Sequence, residues 1–371
     1  MNDTKNINKL NIFKNNVNKI NDKKNINKLN NFKNNDNNEY NIYINTINTN
    51  NTKDMNKNKL LYKQSINTSS KIDNKFKGIV RLNSKYSINQ ELKPGNFGKI
   101  LLALNKQTNK YVVMKITPPH NKMLIKEAKI YIFLQEKNFG ITPEYYEYKE
   151  SKKHDIMITE YYGHDLSYWK DQQTYLNEYY DNYFTHFDLN TSLIILYGLI
   201  KIIQILHHYN VIYHDIKPEN FLIDDISNLT FDNINQHLKI IDFGLAEKLT
   251  KEQLQQTDYV VKNERGMISG TLRYCSKNAY NGYEQTYKDD FESIIYLIVY
   301  LYKGYLPWQS NLGEKKKNKE SLNPEDFIPD ELSFLRELYK QNFNLQFNEK
   351  MDYTNILRTI RKIYMMNNKK E

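Results

Sequence analysis

The sequence predicts an α+β fold of two lobes, a small antiparallel β lobe followed by a larger helical one. Three observations predict it. From about Ser84, "YSINQEL", "KILLAL" and "KYVVMKI" alternate or run apolar between Gly, Asn and Lys turns, as an antiparallel sheet should. From Leu189 onward helical patterns dominate, and Leu193 to Leu206 is apolar nearly throughout, the mark of a buried helix. Only "FLI" and "LKIID" interrupt them as short strands. Two lobes of different character leave a cleft between them, where ligands bind.

The first 75 residues stand apart from this pattern. They hold fourteen Lys, no Arg and six Asp or Glu, so this segment carries a net +8 of the chain's +10 and only +2 is left for the rest. The basic charge therefore describes a tail and says little about the folded part. Asn separates the lysines and no dense basic block forms, so nucleic-acid binding is not expected. "NINKLNIFKNN" from Asn6 returns as "NINKLNNFKNN" from Asn25, but two copies are too few for a solenoid. Apolar residues here are too sparse to offset the cost of ordering the chain, and residues 1–75 read as a disordered tail. The only cysteine is Cys275, which excludes an internal disulfide and fits a reducing compartment. No secretory signal is expected at the start, and the apolar run Ile294 to Tyr302 is too short to span a bilayer. The expectation is a soluble, monomeric, intracellular protein with no membrane contact.

Taken in order, the elements carry chemistry at their ends. "PGNFGKI" (Pro94 to Ile100) lies between two strands, where Gly95 and Gly98 let a hairpin approach phosphates with its backbone N–H groups. Lys115 ends the apolar strand "YVVM" and emerges beside whatever lies under that hairpin. Asn121 to Lys137 reads as a helix with Glu127 on the stripe of Met123, Ile130 and Leu134. A carboxylate on an apolar face is costly unless a cation meets it, and Lys115 is the natural partner; a snorkelling surface Glu is the plainer reading of Glu127 alone. "VIYHDIKPENFLID" (Val211 to Asp224) sets Asp215, Lys217 and Asn220 on a loop between a buried helix and a short strand. "KIIDFGLA" (Lys239 to Ala246) brings Asp242 out of a strand just before Gly244, well placed to hold Mg²⁺, with Asn220 as a second oxygen ligand. Asp215 could then accept a hydroxyl proton while Lys217 steadies a transferring phosphoryl group. Phosphoryl transfer calls for this inventory, since positioning and charge neutralisation do most of the work.

In this order the set Gly95/Gly98, Lys115, Glu127, Asp215-x-Lys217-x-x-Asn220 and Asp242-Phe243-Gly244 resembles the signature of eukaryotic protein kinases. The subfamily resembles casein kinase I and the vaccinia-related kinases. "GTLRYCSKN" (Gly270 to Asn278) stands where most kinases carry Ala-Pro-Glu, and "KDDFESIIYLIVYLYKGYLPWQ" (Lys288 to Gln309) is similarly family-like. The likeness covers residues 84–365 and implies a two-lobed protein-kinase-like fold that uses ATP and Mg²⁺ to phosphorylate Ser or Thr of protein substrates. It implies that Gly95, Asn96, Phe97, Gly98, Ile100, Val113, Lys115, Thr159, Glu160 and Tyr162 surround the nucleotide. Thr159 would be the gatekeeper, and Glu160 and Tyr162 would offer backbone groups to adenine. Asp290 would bind the catalytic-loop backbone, while Asp289 beside it reads as a solvated charge. Acidic or phosphorylated sites would be preferred, with Arg273 and the run Lys315, Lys316, Lys317 as their readers. The plainer reading has Arg273 bracing its own segment and the lysines as a solvated loop.

The sequence also departs from the family pattern. Lys93 replaces the first glycine of the hairpin, Val113 replaces an alanine, and Tyr213-His214-Asp215 stands for His-Arg-Asp. Without that arginine, activation by phosphorylation of the following segment is not expected. Trp169 to Asp188 and Asp225 to Gln236 read as surface insertions. A pseudokinase scaffold and a small-molecule phosphotransferase of the aminoglycoside-kinase type are the competing readings. The second leaves "GTLRY" unexplained.

Overall fold

Strand alternation sorts the first lobe into two faces. The structure, a computed structural model, describes residues 85–95, 98–176, 183–261, 270–309, 319 and 321–368. Strands β1 (Tyr86–Gly95), β2 (Gly98–Asn105), β3 (Lys110–Thr117), β4 (Tyr145–Glu150) and β5 (Asp155–Glu160) form one antiparallel sheet in the order β1-β2-β3-β5-β4. Leu101, Ala103, Val112, Met114, Ile116, Ile156 and Ile158 pack into a small core on one face. With a side-chain period of two, Ile100, Val113, Lys115 and Thr159 then belong to the other face. The register agrees, pairing Ile100 with Lys115 and Val113 with Thr159. Between β3 and β4 runs α1 (Lys122–Glu136), started by Asn121, whose side chain accepts the Leu124 N–H at 3.0 Å.

The second lobe is built on two apolar helices. Short elements lead into it: β6 (His164–Asp165), α2 (Leu166–Asp171) and the pair β7 (Thr174–Leu176) and β8 (Tyr183–Thr185). Helix α3 (Leu189–His208) is apolar and long enough to cross a membrane, but two-thirds of that stretch is buried inside the protein, so it serves as core. Asp188 caps it through the Thr191 N–H at 2.9 Å. Then come β9 (Val211–Ile212), β10 (Phe221–Ile223), α4 (Ile234–His237), β11 (Leu238–Ile240) and β12 (Glu247–Lys248). β10 pairs with β11 and β6, and β9 with β12, all antiparallel. The chain closes with α5 (Lys277–Tyr280), α6 (Tyr287–Lys303), α7 (Pro324–Phe327), α8 (Phe334–Phe343) and α9 (Tyr353–Asn367). One large core joins α3, α6, α8 and α9 to the inner face of α1. The predicted α+β architecture of two lobes is the one observed.

Two expectations are corrected. The Asp225–Gln236 stretch is more than a surface insertion, because Ile234 is fully buried and a Cβ on Gly198 of α3 would come within 2.7 Å of it. Phe231 from the same stretch packs edge-on against Tyr197 and Tyr364. Asp289 is no solvated charge: it is 1% exposed and accepts hydrogen bonds from Ser276 Oγ at 2.6 Å and the Thr286 N–H at 2.7 Å. Helix N-termini need such acceptors, and a sequence of two adjacent aspartates does not say that both are used.

Candidate active site

Lys115 leaves β3 on the face away from the small core and meets two acids. Its Nζ lies 2.7 Å from Glu127 Oε2 and 2.8 Å from Asp242 Oδ1. Glu127 is 2% exposed, so the reading of a snorkelling surface residue is excluded. Burial pushes the Glu127 carboxyl up to about 7, against the pull of Lys115. For Lys115 itself burial works against the charge, but Glu127 and Asp242 outweigh it and hold the amine more basic than usual. Burial would likewise raise Asp242, yet Lys115, Lys217 and the Gly244 N–H hold it below the ordinary aspartate range. Asp242 is thus an anion, with a side chain 41% exposed.

Backbone conformation fixes where the acids point. Asp242 takes φ +60° after β11, and His214 takes φ +71° just before Asp215. Such left-handed residues are strained unless their surroundings determine them. At His214 that constraint is Asp290 of α6, 1% exposed, which accepts the Tyr213 N–H at 2.7 Å and the His214 N–H at 2.9 Å. His207 Nε2 lies 3.0 Å from the same carboxylate, and the Tyr353 hydroxyl is 2.5 Å from His207 Nδ1. The predicted role of Asp290 matches this geometry. At the other end, Tyr213 donates its hydroxyl to Ile241 O at 2.5 Å and meets Phe243 edge-on, and Phe243 meets Tyr131 of α1 the same way. An aromatic column therefore ties the Asp215 loop, the Asp242 turn and the helix bearing Glu127.

Asp215 is 6% exposed, and both of its carboxylate oxygens accept hydrogen bonds. Its Oδ2 accepts from Lys217 Nζ at 2.5 Å and Asn220 Nδ2 at 3.1 Å, and its Oδ1 accepts from Thr271 Oγ1 at 2.8 Å. Asn220 Nδ2 also donates to Asp215 O at 2.9 Å, which directs its amide nitrogen toward the loop and leaves Oδ1 as the atom that could ligate an ion. No cluster of three His, Cys, Asp or Glu able to hold a metal exists among the described residues. Asp242 and Asn220 suit an ion that takes few protein oxygens and completes its shell with phosphate and water, as Mg²⁺ does.

The structure also places the remaining sequence candidates. Gly98 is required by a close approach within the sheet, since a Cβ there would lie 2.1 Å from Ile116 O. Gly95 pairs with Gly98 across the β1–β2 turn, and Asn96 and Phe97 lie outside the described residues. Ile100, Val113 and Thr159 share the Lys115 face. Glu160 donates its N–H to Glu144 O at 2.7 Å, and the Tyr162 hydroxyl bridges Gln236 O and His237 O. Arg273 is stacked 5.5 Å from the Tyr300 ring and 5.8 Å from the Tyr274 ring, a bracing position. Lys315, Lys316 and Lys317 lie outside the described residues. Sequence reasoning missed Thr271, His207 and Tyr353. Thr271 sat inside the quoted "GTLRY", but nothing local linked it to a carboxylate 56 residues earlier.

A cation held by two acids, close to a carboxylate held by a lysine, an amide and a hydroxyl, has the chemistry to bind phosphates and orient a hydroxyl. Residues 86–364, most of the chain, match the family described as the protein kinase domain, and the chain belongs to the protein kinase family.

Proposed function

We propose that this protein kinase is an active serine/threonine kinase that moves the γ-phosphoryl group of ATP to Ser or Thr of protein substrates. The observation that carries the reading is the pairing of Lys115 with Glu127 and Asp242 and of Asp215 with Lys217, Asn220 and Thr271, with Lys217 close enough to Asp242 to act on its charge. Bound Mg²⁺ supplies charge neutralisation at the phosphate oxygens. Asp242 and Asn220 would hold it, and Lys115 would grip the phosphates. Asp215 orients the acceptor hydroxyl and takes its proton as the oxygen–phosphorus bond forms and the bond to the ADP oxygen breaks. Lys217, 2.5 Å from Asp215, neutralises charge on the phosphoryl group in transit.

The finer assignment rests on "GTLRYCSKN" and the segment Lys288 to Gln309, which resemble casein kinase I and the vaccinia-related kinases. That likeness supports acidic or already phosphorylated substrates, read by Arg273 and Lys315 to Lys317, and an intracellular, monomeric enzyme. The test is a casein phosphorylation assay of the wild type beside Asp215→Asn, Asp242→Asn and Lys115→Met. Each variant should abolish transfer while keeping the fold, and phosphoserine or phosphothreonine should be the wild-type product. An undiminished rate in Asp242→Asn would remove the assignment. Mg-ATP binding by a wild type that transfers nothing would favour the scaffold, and transfer to small alcohols alone a small-molecule kinase.

A further inference from the structure

The segment that follows Gly270 is held from two sides. Gly270 takes φ +90°, and a Cβ there would lie 2.5 Å from His214 O, so the segment passes directly against the Asp215 loop. Thr271 comes next and donates to Asp215 Oδ1. The carbonyls of Leu272, Arg273 and Cys275 then meet donors that arrive from beyond α6. Trp308 Nε1 donates to Arg273 O at 2.8 Å. Lys319 Nζ donates to Leu272 O at 3.3 Å and to Cys275 O.

Lys319 is only 1% exposed. Its ammonium lies 4.8 Å from the Tyr296 ring, 5.3 Å from the Trp308 ring and 5.8 Å from the Tyr280 ring. Its hydrogen-bond partners are carbonyl dipoles, with Cys275 Sγ at 3.8 Å, and no carboxylate among the described residues forms an ion pair with it. Burial accordingly lowers its pKa, while Cys275 and Glu292 act to keep the proton on. An apolar chain of the same length would fill this aromatic cage without the cost of burying a charge. What it could not do is hold two carbonyls of one short segment in register.

We propose that Lys319 is a positioning residue for the phosphoryl transfer. Its ammonium clamps the backbone of residues 272–275 and, through Thr271, fixes the Asp215 carboxylate and the surface on which the acceptor peptide lies. This rests on the kinase reading above, in which Asp215 orients the acceptor hydroxyl.

The test uses the full chain, casein as acceptor, and a fluorescent ATP analogue with Mg²⁺ to read nucleotide affinity. In Lys319→Met, kcat with casein should fall about tenfold or more, as misplaced catalytic groups do, while nucleotide Kd stays within about twofold. Lys319→Arg, which keeps the charge and the donors, should recover part of the loss. Trp308→Phe should show a smaller loss of the same kind. Combining Lys319→Met with Thr271→Val should lower kcat little beyond the worse single variant, because both break one route. A folded Lys319→Met with kcat unchanged, an equal loss of nucleotide affinity, or losses that multiply in the double variant would each overturn the proposal. If Lys319→Met does not fold, Trp308→Phe with Thr271→Val runs the same cycle. A wild type that transfers nothing sinks the kinase reading, whereas an active wild type with an unimpaired Lys319→Met sinks this inference alone.

Discussion

Replacing Asp290 by Asn changes one oxygen for one NH₂ group, and the structure says what that substitution costs. The carboxylate receives three groups: the Tyr213 N–H and His207 on Oδ2, and the His214 N–H on Oδ1. An amide has a single acceptor oxygen. If that oxygen keeps Tyr213 and His207, its NH₂ faces the His214 N–H, and a buried donor is left without an acceptor. Such a group costs about 1–3 kcal/mol. The two bonds that remain lose their charge assistance, which takes roughly another 1 kcal/mol. The expected loss is therefore about 2–4 kcal/mol, large beside a typical domain stability of about 5–15 kcal/mol. Urea unfolding checks it, through a lower midpoint at unchanged slope. Activity should fall further than stability alone explains, because His214 at φ +71° is no longer pinned beside Asp215. kcat should drop more than nucleotide affinity. A stability change within about 0.5 kcal/mol, the size expected of a surface substitution, would refute the claim that Asp290 holds this loop.

Three other outcomes follow from the same geometry. Gly98→Ala places a Cβ 2.1 Å from the Ile116 carbonyl, a backbone atom that cannot swing away, so β2 and β3 must part; a thermal scan should show a lower Tm and ATP titration a higher KM. Glu127, raised to about 7 by burial, must be ionised to hold Lys115, so kcat/KM for ATP should decline as pH falls through 7, and Glu127→Gln should abolish that limb. The stability sign is the reverse: a raised carboxyl stabilises the fold below its ordinary value near 4.5 and loses that contribution as pH rises through 7, which Tm measured against pH with and without Glu127→Gln would reveal. A chain beginning at Lys77 should keep the Tm and casein activity of the full chain, because residues 1–75 offer little apolar surface to bury; a fall of many degrees would show that they pack on the kinase domain.

What was legible in the sequence is what depends on short spacing. Lys115 was placed by its position at the end of an apolar strand and Glu127 by a helical stripe, while Ile100, Val113 and Thr159, which share the Lys115 face, were placed by resemblance alone. Asp215, Lys217 and Asn220 sit within six residues and meet through the turn that connects them. Contacts made by folding over long separations left no such mark. Thr271 reaches Asp215 across 56 positions, Tyr353 reaches His207 across 146, and Lys319 reaches Cys275 across 44. Burial was misread for a related reason. Asp289 is charged and so read as solvated, yet it is buried against Ser276, and Lys319, which no short pattern singled out, is buried against the carbonyls of Leu272 and Cys275.

Two of the left-handed non-glycine residues lie at the site, beside or on its acids. His214 and Asp242 both lie in the left-handed region, which costs a non-glycine residue about 1–3 kcal/mol when nothing holds it there. Histidine and aspartate tolerate that region better than branched residues, so nothing in "YHDIK" or "IIDFG" betrays it. The restraints come from other elements: Asp290 of α6 for His214, and Lys115 of β3 for Asp242. The link between those restraints is aromatic, from Tyr213 through Phe243 to Tyr131 on the helix that carries Glu127. A shift of α1 would thus loosen Lys115 and the Phe243 packing together, so the Lys115 and Asp215 halves of the site are coupled through one set of contacts.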